Sequence, residues 1–338
     1  MQGLRNILFK GLVRSGATRA ASYFHRHHVT ILCFHSISLE DEHRFWPGVF
    51  VSKDKLTELL DYLQQSHYNV ISLQEAERHL RGEVTYQYPV VITIDDGWFS
   101  SVSSLLPVLS CYQFPATLYV TTYYCNHQIP VVNVLLQYWL WKKPAKSLDV
   151  EYDGKRFEFT GDKAAIVRSV EQTISAFTDQ QKMQFLKAIA ASLNVDGRDI
   201  TSRRFHNANY SEIAAAASSP LVDIQLHTHT HRLPNDDAGI EREVQVNKNT
   251  LSEQLKIDSG LDHFCYPSGI WSPEQIPYLE QLGIKTATTL DEGLNSRQEH
   301  LLKLKRNLIM DSRSLDQLRV TMSGTLDVMR RLKKKVRA

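Results

Sequence analysis

Two short stretches of this chain hold residues that could do hydrolytic chemistry: Thr93-Ile94-Asp95-Asp96-Gly97 and His227-Thr228-His229-Thr230-His231. Together they offer two adjacent carboxylates and a His-x3-His pair. One Asp and two His suffice to hold a divalent metal ion, and the other Asp is then free to act as a base. Neither stretch says much alone. With 14 His among 338 residues, chance supplies about 0.6 His-x3-His pairs, and Asp-Asp-Gly is a common turn.

Their surroundings give the two stretches weight. Pro89-Val-Val-Ile-Thr-Ile94 is almost wholly apolar and β-branched, which predicts a central strand buried on both faces. Two carboxylates at the end of such a strand cannot both stay ionised without a cation or strong hydrogen bonds. Val222-Asp-Ile-Gln-Leu226 delivers His227 from a strand end in the same way.

The wider pattern alternates from Val29 onward. Strands are expected at 29–34, 69–72, 89–94, 116–121, 222–226, 263–265 and 285–289. Helices are expected at 53–66, from Gln74, near 101–110, at 240–255 and at 273–282. Strand and helix alternating in this way predict parallel strands in a barrel or doubly wound sheet. Functional residues in such folds gather at the carboxyl ends of the strands. The alternation is interrupted from about 123 to 210. There, segments 147–152 and 155–160 flank the hairpin signal Asp153-Gly154. A long helical stretch follows from about 162 to 193, broken near Thr178-Asp179. This interruption reads as a hairpin-plus-helix insertion folded onto the main domain.

At this point the chain resembles a known family, the polysaccharide deacetylases (carbohydrate esterase family 4, the NodB homology domain). Thr93-Ile94-Asp95-Asp96-Gly97 is similar to its T-F-D-D-G motif, and His227 to His231 is similar to its H-[ST]-x-x-H motif. Phe264-Cys265-Tyr266-Pro267-Ser268-Gly269 resembles the third motif in the subgroup written F-A-Y-P-Y-G. Ile31-Leu32-Cys33-Phe34-His35-Ser36-Ile37, Ala116-Thr117-Leu118-Tyr119-Val120 and Thr288 to Asn295 also match that subgroup. The matches keep family order over about residues 29–310, leaving out the insertion.

The resemblance implies a distorted (β/α) barrel of the α/β class and a metal-dependent glycan N-deacetylase. It makes Asp96, His227 and His231 the metal ligands and Asp95 the base that activates water. It implies Zn²⁺ as the ion, with Co²⁺, Ni²⁺ or Mn²⁺ tolerated, and an oxyanion held partly by a backbone N–H near Tyr266, Pro267 and Ser268. His229, between the ligands, is expected behind them or at the surface. Two departures stand out. Cys265 occupies the place where the better-known branch has an Arg that orients the catalytic Asp. The late L-x-H histidine that serves as general acid is also missing, and His300 stands in a charged stretch. His35, just past an apolar strand, is the better candidate acid, with a buried histidine bonded to backbone as the alternative. Arg306 is expected either to partner a site carboxylate or to be solvated.

The ends of the chain are more basic than the middle. Residues 1–28 read as a basic amphipathic segment in which Leu4, Ile7, Leu8 and Gly11/Leu12 keep helical spacing. His25, His27 and His28 read as solvated. Residues 311–338 read as a helix ending in the basic run 330–337. Basic segments at both ends point to reversible contact with an anionic membrane and not to nucleic acid, the alternatives being that the first packs on the domain and that the second is a solvated tail. Formal net charge is +2, which names no partner. Four scattered Cys without a CxxC read as buried free thiols. The aromatic group Tyr119, Tyr123, Tyr124, Tyr138, Trp139 and Trp141 reads mainly as core, although such faces also stack on sugars.

With 42% apolar residues the chain can bury a substantial core. Arg5, Lys10 and Arg14 interrupt the apolar N-terminus, so a cytoplasmic location is expected, at most on the inner membrane face. The expected substrate is therefore an N-acetylated amino sugar in a glycan or lipid-linked saccharide. The alternatives are hydrolysis of another C–N bond on the same fold (a deformylase, or a cyclic imide or ureide hydrolase) and a non-catalytic glycan-binding scaffold.

Overall fold

The computed structural model describes residues 2–329, with side chains from residue 6 onward. The basic run 330–337, expected to touch membrane, lies outside the described residues. Eight parallel strands form one curled sheet. In spatial order they are Thr286–Thr288, His263–Cys265, Val222–Leu226, Ala116–Val120, Pro89–Ile94, Thr30–Phe34 and Asn307–Leu308. Asn69–Val70 adds beside the start of Pro89–Ile94. The segment 304–309 joins the two edges. Leu304 N–H donates to Ala287 O at one edge (2.8 Å), and Ile309 N–H donates to Cys33 O at the other (2.9 Å). The sheet thus closes into a distorted (β/α) barrel with helices outside.

Successive residues on a strand face opposite sides, and both sides here are buried. Leu32, Phe34, Val90, Ile92, Ile94, Leu118, Ile224 and Leu226 pack outward under helices such as Lys53–Gln65 and Asp237–Leu255. Val29, Ile31, Val91, Tyr119, Cys265 and Leu304 fill a second cluster inside the barrel. This two-sided burial is why the strand sequences are apolar runs and do not alternate. At the carboxyl ends the same inward positions continue as Cys33, His35, Thr93, Asp95 and His227.

Most elements expected from the pattern form, with ends shifted by a few residues. The strand expected at 285–289 is trimmed to Thr286–Thr288, and the one at 69–72 to Asn69–Val70. The hairpin Ser147–Tyr152 with Lys155–Thr160 forms in the expected register. The helix expected at 162–193 is two helices, Lys163–Ile174 and Asp179–Leu193. The break is a capping box in which Thr178 and Gln181 satisfy each other's backbone N–H groups. The insertion carries its own apolar cluster around Trp139, Phe185, Leu186 and Phe205, which Phe50 and Trp98 from the barrel side also join.

Three sequence expectations need correction. The short strand Asn307–Leu308 was not expected, because two residues leave no period to read. Cys111 is exposed, unlike Cys33, Cys125 and Cys265, because it ends a surface helix. His25, His27 and His28 are half-buried and not solvated. The His25 and His27 rings lie within hydrogen-bond distance of Ala21 O and Tyr86 O.

Candidate active site

Each candidate residue sits where a strand ends at one mouth of the barrel. His35 follows Thr30–Phe34, Asp95 follows Pro89–Ile94, and His227 follows Val222–Leu226. Asp95 N–H still donates to Phe34 O (2.9 Å), so Asp95 keeps the strand's inward phase. Alternation would turn Asp96 outward. Instead Asp96 adopts φ 73° and Gly97 φ 79°, which swings the Asp96 carboxylate over the mouth. Thr228 (φ 62°) and His231 (φ 59°) are likewise left-handed. Such conformations are uncommon for residues with a Cβ and persist only where neighbours enforce them.

The neighbours that do so are identifiable. Trp98 Nε1–H donates to Asp96 Oδ2 (2.9 Å), and Asn207 Nδ2–H donates to Asp96 O (2.6 Å). Behind the histidines, Glu243 accepts from Thr230 N–H and Oγ1–H (2.8 Å each). Asn247, one turn along the same helix, accepts from His227 N–H (3.0 Å). Asn247 also donates to Val120 O and Thr122 Oγ1. Sequence reasoning missed Trp98, Asn207, Glu243 and Asn247. The last pair had a faint signal, as polar residues four apart on a helix face that also carries Ile240, Val244 and Leu251.

Asp96, His227 and His231 converge. Both histidine Nε2 atoms lie 3.2 Å from Asp96 Oδ1. His227 Nδ1 is 2.8 Å from Cys265 O and donates to it, which turns the Nε2 lone pair toward the mouth. Ligands about 2.0–2.1 Å from a tetrahedral ion stand roughly 3.3 Å apart, so the spacing fits a shared cation. Burial by itself would raise the Asp96 carboxyl, but His231 and His227 hold it well below the ordinary range. Two other groups, Cys33/His35/Asp95 and Asp95/His227/Cys265, also bring ligand-type atoms within 4.8 Å of one another. Neither suits a metal, because Arg306 already occupies both Asp95 oxygens, and burial pushes the Cys33 thiol up, away from thiolate.

Of the two places expected for Arg306, the structure shows the partner of a site carboxylate and not the solvated side chain. Arg306 is fully buried and bidentate to Asp95, with Nη1–Oδ1 2.7 Å and Nη2–Oδ2 2.8 Å. Its remaining contacts are Thr289 O (2.9 Å), Thr93 Oγ1 (3.2 Å) and Cys265 Sγ (3.1 Å). Burial raises the Asp95 carboxyl, yet Arg306, with help from His35 and His227, brings it down to about 2. Arg306, just before the short strand Asn307–Leu308, reaches Asp95 alongside the Cys265 sulfur.

The other candidates separate. His35 Nε2 lies 3.9 Å from Asp95 Oδ2, and His35 Nδ1 is buried with no hydrogen-bond partner among the described residues. His229 turns away from Asp96, with Nδ1 2.9 Å from Thr122 Oγ1. His300 lies near Glu280 (3.8 Å), apart from the site. Tyr266 is not available for an oxyanion: its N–H donates to Thr288 O (3.1 Å) and its hydroxyl to Leu302 O (2.9 Å). Pro267 has no N–H, which leaves Ser268. Ser268 takes φ 56° beside Gly269 (φ 68°), where an added Cβ would stand 2.5 Å from Leu290 Cβ. Among the aromatics, Tyr119, Tyr138 and Trp139 are core as expected, while Tyr123 and Tyr124 are half-buried. Tyr124 is near enough to Asp96 for that charge to help burial raise its phenol.

No family model matches the chain, and no curated protein matches it by sequence. Solved structures do match. The Streptococcus pyogenes deacetylase PplD, solved with acetate, aligns at TM-score 0.57 and 18% identity over 88% of this chain and 99% of that one. A de-N-acetylase from Aggregatibacter actinomycetemcomitans aligns at TM-score 0.55 and 14% identity over 86% and 98%. BC0361, a polysaccharide deacetylase from Bacillus cereus, aligns at TM-score 0.54 and 16% identity over 88% and 69%. The chain thus has the barrel fold of these deacetylases. At such identities the likeness carries the fold and no more.

Proposed function

We propose that this protein is a metal-dependent hydrolase that removes N-acetyl groups from an amino sugar in a glycan or lipid-linked saccharide. The observation that carries this reading is the pairing of two differently served carboxylates. Asp96 shares one oxygen between two imidazoles (3.2 Å each), while Asp95 next to it is locked by Arg306 (2.7 and 2.8 Å). The deacetylases sharing the fold support the choice of reaction.

Asp96, His227 and His231 would hold the ion, and two imidazoles with one carboxylate suit Zn²⁺ first, with Co²⁺, Ni²⁺ or Mn²⁺ as substitutes. When bound, such an ion supplies Lewis acidity to water and to the acetyl carbonyl. Asp95 takes the proton from the attacking water; ionised well below neutrality, it is ready to accept one throughout the physiological range. Arg306 fixes both Asp95 oxygens, so the base does not wander. His35, on the other side of Asp95, is placed to return a proton to the leaving amine nitrogen. Ser268 N–H is the backbone donor on the third-motif turn that remains for the carbonyl oxygen. His229 acts from behind through Thr122 and Asn247.

We place the activity on the cytoplasmic side, acting on a lipid-linked precursor. The test is acetate release from N-acetylglucosamine oligomers and lipid-linked saccharides, with metal content measured by mass spectrometry. Stoichiometric metal with acetate release that disappears in Asp95→Asn supports the reading. Bound metal without hydrolysis of any acetylated sugar would falsify it.

A further inference from the structure

The two helices at the start of the described chain, Gln2–Arg14 and Ala17–Phe24, carry their apolar residues on the wrong side for packing. Both lean on the helix Leu315–Met322 and touch each other across Gly16, whose φ is 79°. The inward contact of the first helix is Phe9, which is 5% exposed. Ile7 lies about 160° round the helix from Phe9 and Leu8 about 100°, and they are 70% and 52% exposed. The second helix repeats the arrangement. Thr18, Ala21 and Ser22 are its buried residues, while Tyr23 and Phe24 stand 58% and 77% exposed. Of the stripe legible in the sequence, Ile7, Leu8 and Gly11 therefore face outward, while Leu12 is half-buried.

Charge says what could cover that face. Lys10, Arg14 and Arg19 are exposed beside the apolar residues. Arg26 lies over the Tyr23 ring at 4.6 Å. The first acidic residue of the chain is Glu40. A partner protein would be expected to meet a face of mixed charge, whereas these two helices offer bulky apolar tips with cations and no acidic residue of their own, which suits a bilayer with anionic headgroups. Among the described residues no helix is long and apolar enough to cross a membrane, so the contact is lateral. We propose that the outer face of these two helices docks on an anionic lipid surface. This inference stands independently of the deacetylase reading.

The test is co-sedimentation of the full chain with phosphatidylcholine vesicles and with vesicles carrying about one third phosphatidylglycerol. Each Lys or Arg near such a surface contributes about fivefold in binding. The wild type should therefore favour the anionic vesicles by at least tenfold, with the preference lost at high salt. Two variant pairs, Ile7→Asp/Phe24→Asp and Lys10→Glu/Arg14→Glu, should each lower anionic-vesicle binding at least tenfold while keeping the wild-type melting curve. Equal binding by both pairs would move the contact elsewhere, with the run 330–337 the first suspect, and overturn the proposal. Concentration-dependent dimers of the wild type alone, with no vesicle binding, would overturn it in favour of a second copy.

Discussion

Two buried arginines, Arg306 and Arg204, show how one residue type serves two ends. Arg306, fully buried, gives its guanidinium fork to a single carboxylate, Asp95. Arg204, 5% exposed, spreads its contacts over four: Glu42 (2.6 Å), Asp41, Asp199 and Glu40 (2.9 Å each). Tyr138 and Lys142 bond the same Asp41. The Arg204 cluster therefore ties segment 40–42, just past His35, to the insertion. A cleft of about 470 Å³ adjoins it, lined in part by Trp139, Asp199 and Arg204. Arg204 and Lys142 there face four carboxylates drawn from several elements, and the cations hold those elements together as a clamp does. At Arg306 the compensation is one to one, with His35 3.9 Å from the same carboxylate.

The largest effect expected is at the base. Asp95→Asn should lower acetate release by about 10³-fold, within the range that a positioned general base supplies, with metal content unchanged by mass spectrometry. His227→Ala should do the reverse, losing metal first and activity as a consequence. Retained metal there would break the division of labour between Asp95 and Asp96.

Arg306→Met should destabilise the fold by about 3–5 kcal/mol, because it leaves Asp95 buried without its cation. Combining it with Asp95→Leu should recover most of that stability in denaturant unfolding while activity stays lost. Additive costs in the double variant would mean that the two residues do not act as a pair. Arg204→Met should also cost about 3 kcal/mol, yet leave kcat per folded molecule within about twofold. A tenfold fall in kcat would show that the clamp reaches the chemistry and would end the contrast between the two arginines.

The smallest effect concerns Asp223, at the far end of its strand from His227. Burial pushes its carboxyl up to about 6, above the value near 3.9 of an unfolded chain. The folded state then binds this proton more tightly, so the group favours folding least above pH 6 and most below about pH 4. Asp223→Asn should raise stability by up to about 3 kcal/mol at pH 8, shrinking toward pH 5, as read by urea unfolding at both pH values. A gain independent of pH would assign the effect to packing. Arg306 and Arg204 supply the contrast here too, since Asp223 is a half-buried carboxylate bonded to Gln225 and Thr117 and to no arginine.

The amino-acid sequence by itself determined the alternation of strands and helices, the hairpin, the break at Thr178, and the order of the motif residues along the chain. These are local properties: burial on both faces dictates apolar runs, and caps and turns need particular residues within a few positions. It also showed which residues of the first helix share a stripe, though not whether that stripe meets the protein or its surroundings. Periodicity defines a face without naming its partner, and only packing against Leu315–Met322 turned Phe9 inward and Ile7 outward. The tertiary structure alone decided that Arg306 answers Asp95 from a segment more than two hundred positions away. That pairing depends on the segment 304–309 closing the barrel. The same closure at the strand ends, with left-handed turns at Asp96 and His231, gathered three ligand-type side chains that spacing could only suggest.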